Sequence, residues 1–324
     1  MPDEATRMLD IMDCSEFSTP PRRILLHHPQ HGNSLGTLTA ERLRELNFFE
    51  LPQADALHRE YDGVVAEIGS HVETVFLGDI LKDDPDFQAE AAGNPNLMFM
   101  RDSSITLPWA PETFIPARLA LPARAKEPAV VAKALGRLGL TPAVSFSDDE
   151  YIEGGDVLPA MDGGKRILLI GFGVRTTKAA ALKLALELIP RHVDRIIGLS
   201  HDPDLLHLDT GFSILPNRVM FAAAGMFSKG FLIDEDRRLS NINPIAHAEE
   251  LGFKILRCDK ADAIAHERCN MLPLGLGRYF AFHMPDDTKA ELERHAGISI
   301  SCLHGTEIAK AAGGIHCLTR PLYL

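Results

Sequence analysis

The chain has 324 residues, 45% of them apolar, enough for one large domain or two medium ones with a buried core. No apolar run approaches the roughly eighteen residues a membrane span needs, and a formal net charge of -12 offers no basic surface for nucleic acid. The opening MPDEATRMLDIMDCSEFSTPP carries acids where a secretory leader carries bases, so residues 1–20 read as a partly mobile tail of a cytoplasmic protein.

In chain order, Arg23 to His27 (RILLH) reads as a buried strand. Leu57, Tyr61, Val64, Val65 and Ile68 stand at helical spacing between Ala54 and Val72, and Val72 to Leu77 follows as a strand. The proline-rich run from Ala110 to Pro128 reads as a surface loop. Arg166 to Ile170 is an apolar strand, Thr177 to Leu188 an alanine- and leucine-rich helix, and Val193 to Leu199 a strand. Strands follow at Phe212 to Leu215 and Arg218 to Ala222, then a helix at Pro244 to Leu251 and a strand at Phe253 to Arg257. Tyr279 to Phe282, Asp287 to His295 and Ile298 to Leu303 read as strand, helix and strand, and a short helix covers Thr306 to Ala311. Repeated α/β units without long linkers predict one α/β domain over residues 21–324.

Five cysteines, Cys14, Cys258, Cys269, Cys302 and Cys317, are odd in number and include no CxxC pair. That argues against a disulfide framework and a zinc ribbon. Four short segments carry unusual chemistry: NPNLMFMRDSS at Asn94 to Ser104, YIEGGDVL at Tyr151 to Leu158, HLDT at His207 to Thr210, and GGIHCLTRPL at Gly313 to Leu322. If HLDT is extended, His207 and Asp209 share a face while Leu208 points to the core. The two glycines of EGGD imply a sharp turn or a close backbone approach, with Glu153 and Asp156 on either side. Paired acids near a histidine could orient it and hold a cation. Cys317 follows glycines that admit a ligand, and a nearby cation would favour its thiolate. Each segment alone has a structural alternative: a satisfied histidine, an acidic turn, a buried apolar cysteine. Gly171-Phe172-Gly173 lacks the third glycine and the acid of a dinucleotide loop, and Ser147 to Glu150 lacks the spacing of a calcium loop.

Together and in this order, the four segments resemble the arginine deiminase family of the guanidine-modifying (pentein) superfamily, from about Arg23 to the C-terminus. The resemblance implies a five-bladed α/β propeller. It implies Cys317 as nucleophile, His207 as general acid and base, and Glu153 as the partner of His207. Asp102 of FMRD and Asp209 of HLDT would grip the guanidinium nitrogens. Asn96, Arg124 in LPARAKE and Arg175 in GFGVRT would hold the α-carboxylate, a task suited to arginine's bidentate fork. The implied reaction hydrolyses free L-arginine to citrulline and ammonia through a covalent thiouronium, with no metal or organic cofactor. Dimethylarginine hydrolases, arginine dihydrolases and amidinotransferases share the implied fold and stay open, as does self-association. A non-catalytic arginine binder would leave Cys317 without a purpose. The chain departs from the pattern twice. Leu81 and Asn94 are too close for the helical insertion of bacterial arginine deiminases, and Ala312 stands where an arginine often precedes the nucleophile.

Overall fold

Parallel strands cannot be joined by a tight turn; they need a crossover, usually a helix. Among the described residues the chain meets that need in each of five separate sheets. In each, a central strand has an antiparallel neighbour on one side and a parallel one on the other. The computed structural model describes residues 13–14 and 19–324 apart from 276.

In the first sheet Arg23–Leu26 lies between Arg320–Leu322, antiparallel, and Glu73–Phe76, parallel. The helix Ala54–Gly69 makes the crossover and buries Leu57, Tyr61, Val64 and Ile68 on one face. Each such side chain contributes about 1.5–3 kcal/mol by leaving water. In the second sheet Thr113–Pro116 lies between Ser104–Thr106 and Thr141–Pro142, with the helix Glu127–Arg137 crossing over. In the third, Lys165–Phe172 lies between Val157–Asp162 and Arg195–His201, with Lys178–Leu188 as crossover. In the fourth, Val219–Ala223 lies between Phe212–Leu215 and Lys254–Cys258, and the helix Pro244–Glu250 precedes the parallel strand. In the fifth, Arg278–Phe282 lies between Leu272–Pro273 and Ser299–Leu303, with Asp286–Ala296 crossing over. The hairpin Phe227–Ile233 and Leu239–Ile242 leaves the fourth unit and extends the third sheet beyond Arg195–His201.

The α/β class and the repeat are those the sequence predicts. Two expectations need correction. The run from Ala110 to Pro128 is no surface loop: Phe114, Ile115, Leu119, Arg124 and Glu127 are buried, and Thr113–Pro116 is the central strand of its sheet. Prolines sit at the end of that strand and in the first turn of the next helix, positions that tolerate them. HLDT is not extended throughout. His207 has extended backbone and caps a single helical turn, Leu208–Gly211, before the strand Phe212–Leu215 begins. The tail expected over residues 1–20 lies almost wholly outside the described residues; Asp13–Cys14 pairs antiparallel with Met161 and Ala160. Among the described residues no helix is long and apolar enough to cross a membrane.

Candidate functional site

Each of the five units places polar residues in the few positions ahead of its first, antiparallel strand. Asp102 precedes Ser104–Thr106, and Glu153 and Asp156 precede Val157–Asp162. His207 and Asp209 precede Phe212–Leu215, Asn270 precedes Leu272–Pro273, and Cys317 precedes Arg320–Leu322. All seven side chains belong to buried residues.

Close glycine packing assembles these segments. A Cβ on Gly155 would lie 2.9 Å from the His207 ring and 3.0 Å from Asp102 Oδ1. Only glycine lets the EGGD backbone stand directly against both. Asp156 Oδ1 accepts the Leu208 amide at 2.8 Å, which ties that turn to HLDT. Thr210 Oγ1 accepts the His207 amide and donates to the His207 carbonyl, closing the turn on itself.

His207 is fully buried. Its Nε2–H donates to Glu153 Oε2 at 2.6 Å, and its Nδ1 lies 3.7 Å from Asp102 Oδ1. Burial disfavours its charge, but Asp102, Glu153 and Asp156 outweigh it and push the pKa up to about 10. The ring is therefore an imidazolium at neutral pH. Burial opposes ionisation of Asp102 too, yet His207 and Arg124 hold that carboxyl below its ordinary range. Glu153 Oε1 accepts the Ala120 amide at 2.8 Å, and Arg175 Nη1 approaches Oε2 at 3.5 Å.

The Cys317 sulfur lies 3.8 Å from Asp209 Oδ2 and accepts from Asn270 Nδ2 at 3.1 Å. Burial, then Asp209, Asp102 and Glu267, push its thiol pKa well above the usual value. Asp209 Oδ2 accepts from His316 Nδ1 at 2.7 Å. Oδ1 of Asp102 and Oδ1 of Asp209 are both buried without a hydrogen-bond partner. Two buried carboxylates with unanswered oxygens beside one sulfur call for a cation with several N–H donors.

A narrow cavity reaches the sulfur, lined by Asn96, Asp102, Arg124, Arg175, His207 and Cys317 among others. Six of the eight residues singled out in the sequence thus share one wall; Glu153 and Asp209 stand behind it, bonded to His207 and near the sulfur. Arg124 is already engaged. Nε and Nη2 fork onto Glu127 at 2.7 and 2.8 Å, and Nη1 donates to Asp102 Oδ2 at 2.7 Å. Asn96 Nδ2 donates to the Leu46 carbonyl at 3.0 Å. Ala312 lines the cavity with a backbone φ of 63°, in the left-handed region.

The sequence did not reveal Asn270, His316 or Glu127. The signal for Asn270 was positional, since its unit alone had no polar segment assigned ahead of the first strand. Sequence spacing also gave no metal ligand set, whereas Asp102, Glu153 and His207 bring ligand atoms within 4.8 Å of one another. A metal there would have to displace a proton of the imidazolium that stands between the two acids, with Arg124 and Arg175 adding positive charge nearby.

A family model described as arginine deiminase matches residues 33–323. The chain belongs to the arginine deiminase family. It is similar to the arginine deiminase of Mycobacterium bovis, 29% identical over 249 residues that cover 70% of this chain and 60% of that protein. It is also similar to the arginine deiminase of Rhodococcus erythropolis, 27% identical over 314 residues, 90% of this chain and 74% of that one. The chain thus spans about 60% of the length of the first of these relatives. Among solved structures it is similar to the N-terminal domain of ArgZ, an arginine dihydrolase of cyanobacteria. The TM-score is 0.71 at 20% identity, with 97% of each chain covered. A dimethylarginine dimethylaminohydrolase aligns at a TM-score of 0.64 and 16% identity, over 93% of this chain and 99% of that one. These two likenesses establish the shared pentein-type α/β fold of this arginine deiminase family member.

Proposed function

We propose that this protein is an arginine deiminase-type hydrolase that converts free L-arginine to citrulline and ammonia. The observation that carries the reading is the pair Asp102 and Asp209, each buried with an unpartnered oxygen, beside the Cys317 sulfur. A guanidinium is planar, always charged and rich in N–H donors, so it answers both carboxylates at once. The same cation reverses the field that holds the Cys317 thiol protonated, so substrate binding itself favours the thiolate, and the thiol proton leaves to solvent. Sulfur attacks the guanidinium carbon, His207 gives a proton to the leaving nitrogen, the C–N bond breaks, and ammonia departs. The now neutral His207 takes a proton from water, the hydroxide adds to the thiouronium carbon, the C–S bond breaks, and the thiol re-forms with the ureido product. Glu153 orients His207 throughout. Asn96, Arg124 and Arg175 face the α-carboxylate, Arg175 with the most freedom to do so. These additions and proton transfers require no metal or organic cofactor.

In this reading the five sheets are the blades of a five-bladed α/β propeller around the cavity, in a single catalytic domain over residues 21–324. A thiol nucleophile suits a reducing compartment, and we place the enzyme in the cytoplasm. The test is product analysis by mass spectrometry with L-arginine as sole substrate. Citrulline and ammonia in equal amounts, abolished in Cys317→Ser, are expected. Ornithine as the end product would make it a dihydrolase, and no ammonia without an added amine would make it an amidinotransferase. Turnover by Cys317→Ser would overturn the nucleophile.

A further inference from the structure

Asn270 occupies, in the fifth unit, the place that Asp102, Glu153, His207 with Asp209, and Cys317 occupy in the other four. It arrives there from the loop after the helix Lys260–His266 and ahead of the strand Leu272–Pro273. Its buried carboxamide makes four contacts, all to the Cys317 segment or to Asp209. Oδ1 accepts the amides of His316 at 2.8 Å and Cys317 at 3.2 Å. Nδ2 donates to the Asp209 carbonyl at 3.3 Å and to the Cys317 sulfur at 3.1 Å. The orientation of the amide follows from the partners. Two backbone N–H groups can only donate, so the oxygen must face them and the NH2 must face the sulfur. A Cβ on Gly314 would collide with this side chain, so the glycine pair ahead of Cys317 serves that approach.

We infer that Asn270 is a positioning residue for the nucleophile, one that fixes the Cys317 backbone and offers its sulfur a hydrogen-bond donor that favours the thiolate. The inference rests on the reading of Cys317 as the nucleophile. The charged groups facing the sulfur are carboxyls: Asp209 from the HLDT turn, Asp102 from the segment before Ser104–Thr106, and Glu267 from the loop after Lys260–His266. His316 is hydrogen-bonded to Asp209, and His207, bonded to Glu153, has its Nδ1 3.7 Å from Asp102 Oδ1. Against these carboxyls, the Asn270 amide is a hydrogen-bond donor at the sulfur. A donor to sulfur strengthens as negative charge develops there, so its benefit falls on the attacking form.

The test compares Asn270→Asp and Asn270→Ala with wild type. Asn270→Asp keeps an oxygen for the two backbone amides and replaces the donor at the sulfur with another carboxylate oxygen. It should lower kcat/KM on arginine by about 100-fold or more at neutral pH, mostly in kcat. The acid limb of its rate profile, and the pH profile of site-resolved Cys317 alkylation, should move to higher pH. Asn270→Ala should lose about 10- to 100-fold with a smaller alkaline movement. A merely structural role would leave both profiles where they are, and unmoved profiles overturn the inference. Should neither variant fold, wild-type protein with isotope-labelled asparagine serves instead. The Asn270 side-chain amide resonance should shift as Cys317 titrates, and a resonance that does not shift overturns the inference. The two readings fail separately: turnover by Cys317→Ser removes the nucleophile, whereas an inactive Cys317→Ser with unmoved Asn270 profiles removes only the role of Asn270.

Discussion

Arg124 and Arg175 stand on the same cavity wall but differ in what holds them. Arg124 answers two buried carboxylates, Glu127 and Asp102, at hydrogen-bond distance. Arg124→Ala would leave both acids buried without their cation, so it should destabilise the protein by about 3–5 kcal/mol, read by denaturant unfolding. Arg175 has one long contact, 3.5 Å to Glu153. Arg175→Ala should cost little stability but lower kcat/KM for arginine about 10- to 100-fold more than for agmatine, which lacks the carboxylate. Equal losses on both substrates would remove Arg175 from carboxylate recognition. His207 carries the pH dependence. Its folded pKa of about 10 lies above the ordinary 6.5. The stability it contributes is fully present below pH 6.5 and is lost as pH rises through about 10. Thermal midpoints of wild type should fall across that window by more than those of His207→Gln; parallel curves would contradict the assigned imidazolium. The residues that gather at the candidate site were legible because Cys, His and acids in a fixed order are rare. Asn270 and His316 were not, because neither residue type announces itself, and their partners lie far away in the chain.

The EGGD turn and the HLDT turn act as one element, joined by the Asp156 bond to the Leu208 amide. Gly155→Ala would place a methyl group 2.9 Å from the His207 ring. The ring and Asp102 must then shift by a few tenths of an ångström while the sheets stay in place. The expected result is a folded protein, destabilised by about 1–3 kcal/mol, with kcat reduced on the order of 100-fold. A variant with wild-type kcat would mean that His207 tolerates displacement. At this scale the sequence was a partial guide. Helices with a clear apolar stripe, such as Ala54–Gly69, were read nearly to their ends. HLDT was misread because a helix cap is itself extended: His207 has φ -136° and ψ 170°. What turns the chain helical after it is the carboxylate of Asp156, 52 residues upstream of Leu208. Thr113–Pro116 was missed because short strands bounded by prolines look like loops.

At the scale of the whole molecule, the five sheets follow one plan, offset by one strand. The strand that should lead the first unit is taken from the other end of the sequence, Arg320–Leu322, three residues beyond Cys317. The repeat was visible as alternating strands and helices, but the offset was not, since nothing in RILL or RPL specifies the other. Arg23 Nη2 reaches the Leu324 carbonyl across a sequence separation of 301 residues. That stitch has a consequence in time. Helices and neighbouring strands form from local contacts, whereas a pairing of such high separation must wait until the intervening chain has folded and brought its ends together. The sulfur-bearing segment is tethered to the slowest contact, so a refolding population should regain its helical circular dichroism before it regains turnover. Stopped-flow refolding with both signals checks this, and their recovery in step would show that the stitch closes early. Until it closes, the chain carries its full complement of reactive groups in an unassembled site, and Cys317 stands more open to oxidants and alkylating agents than it does in the finished cavity.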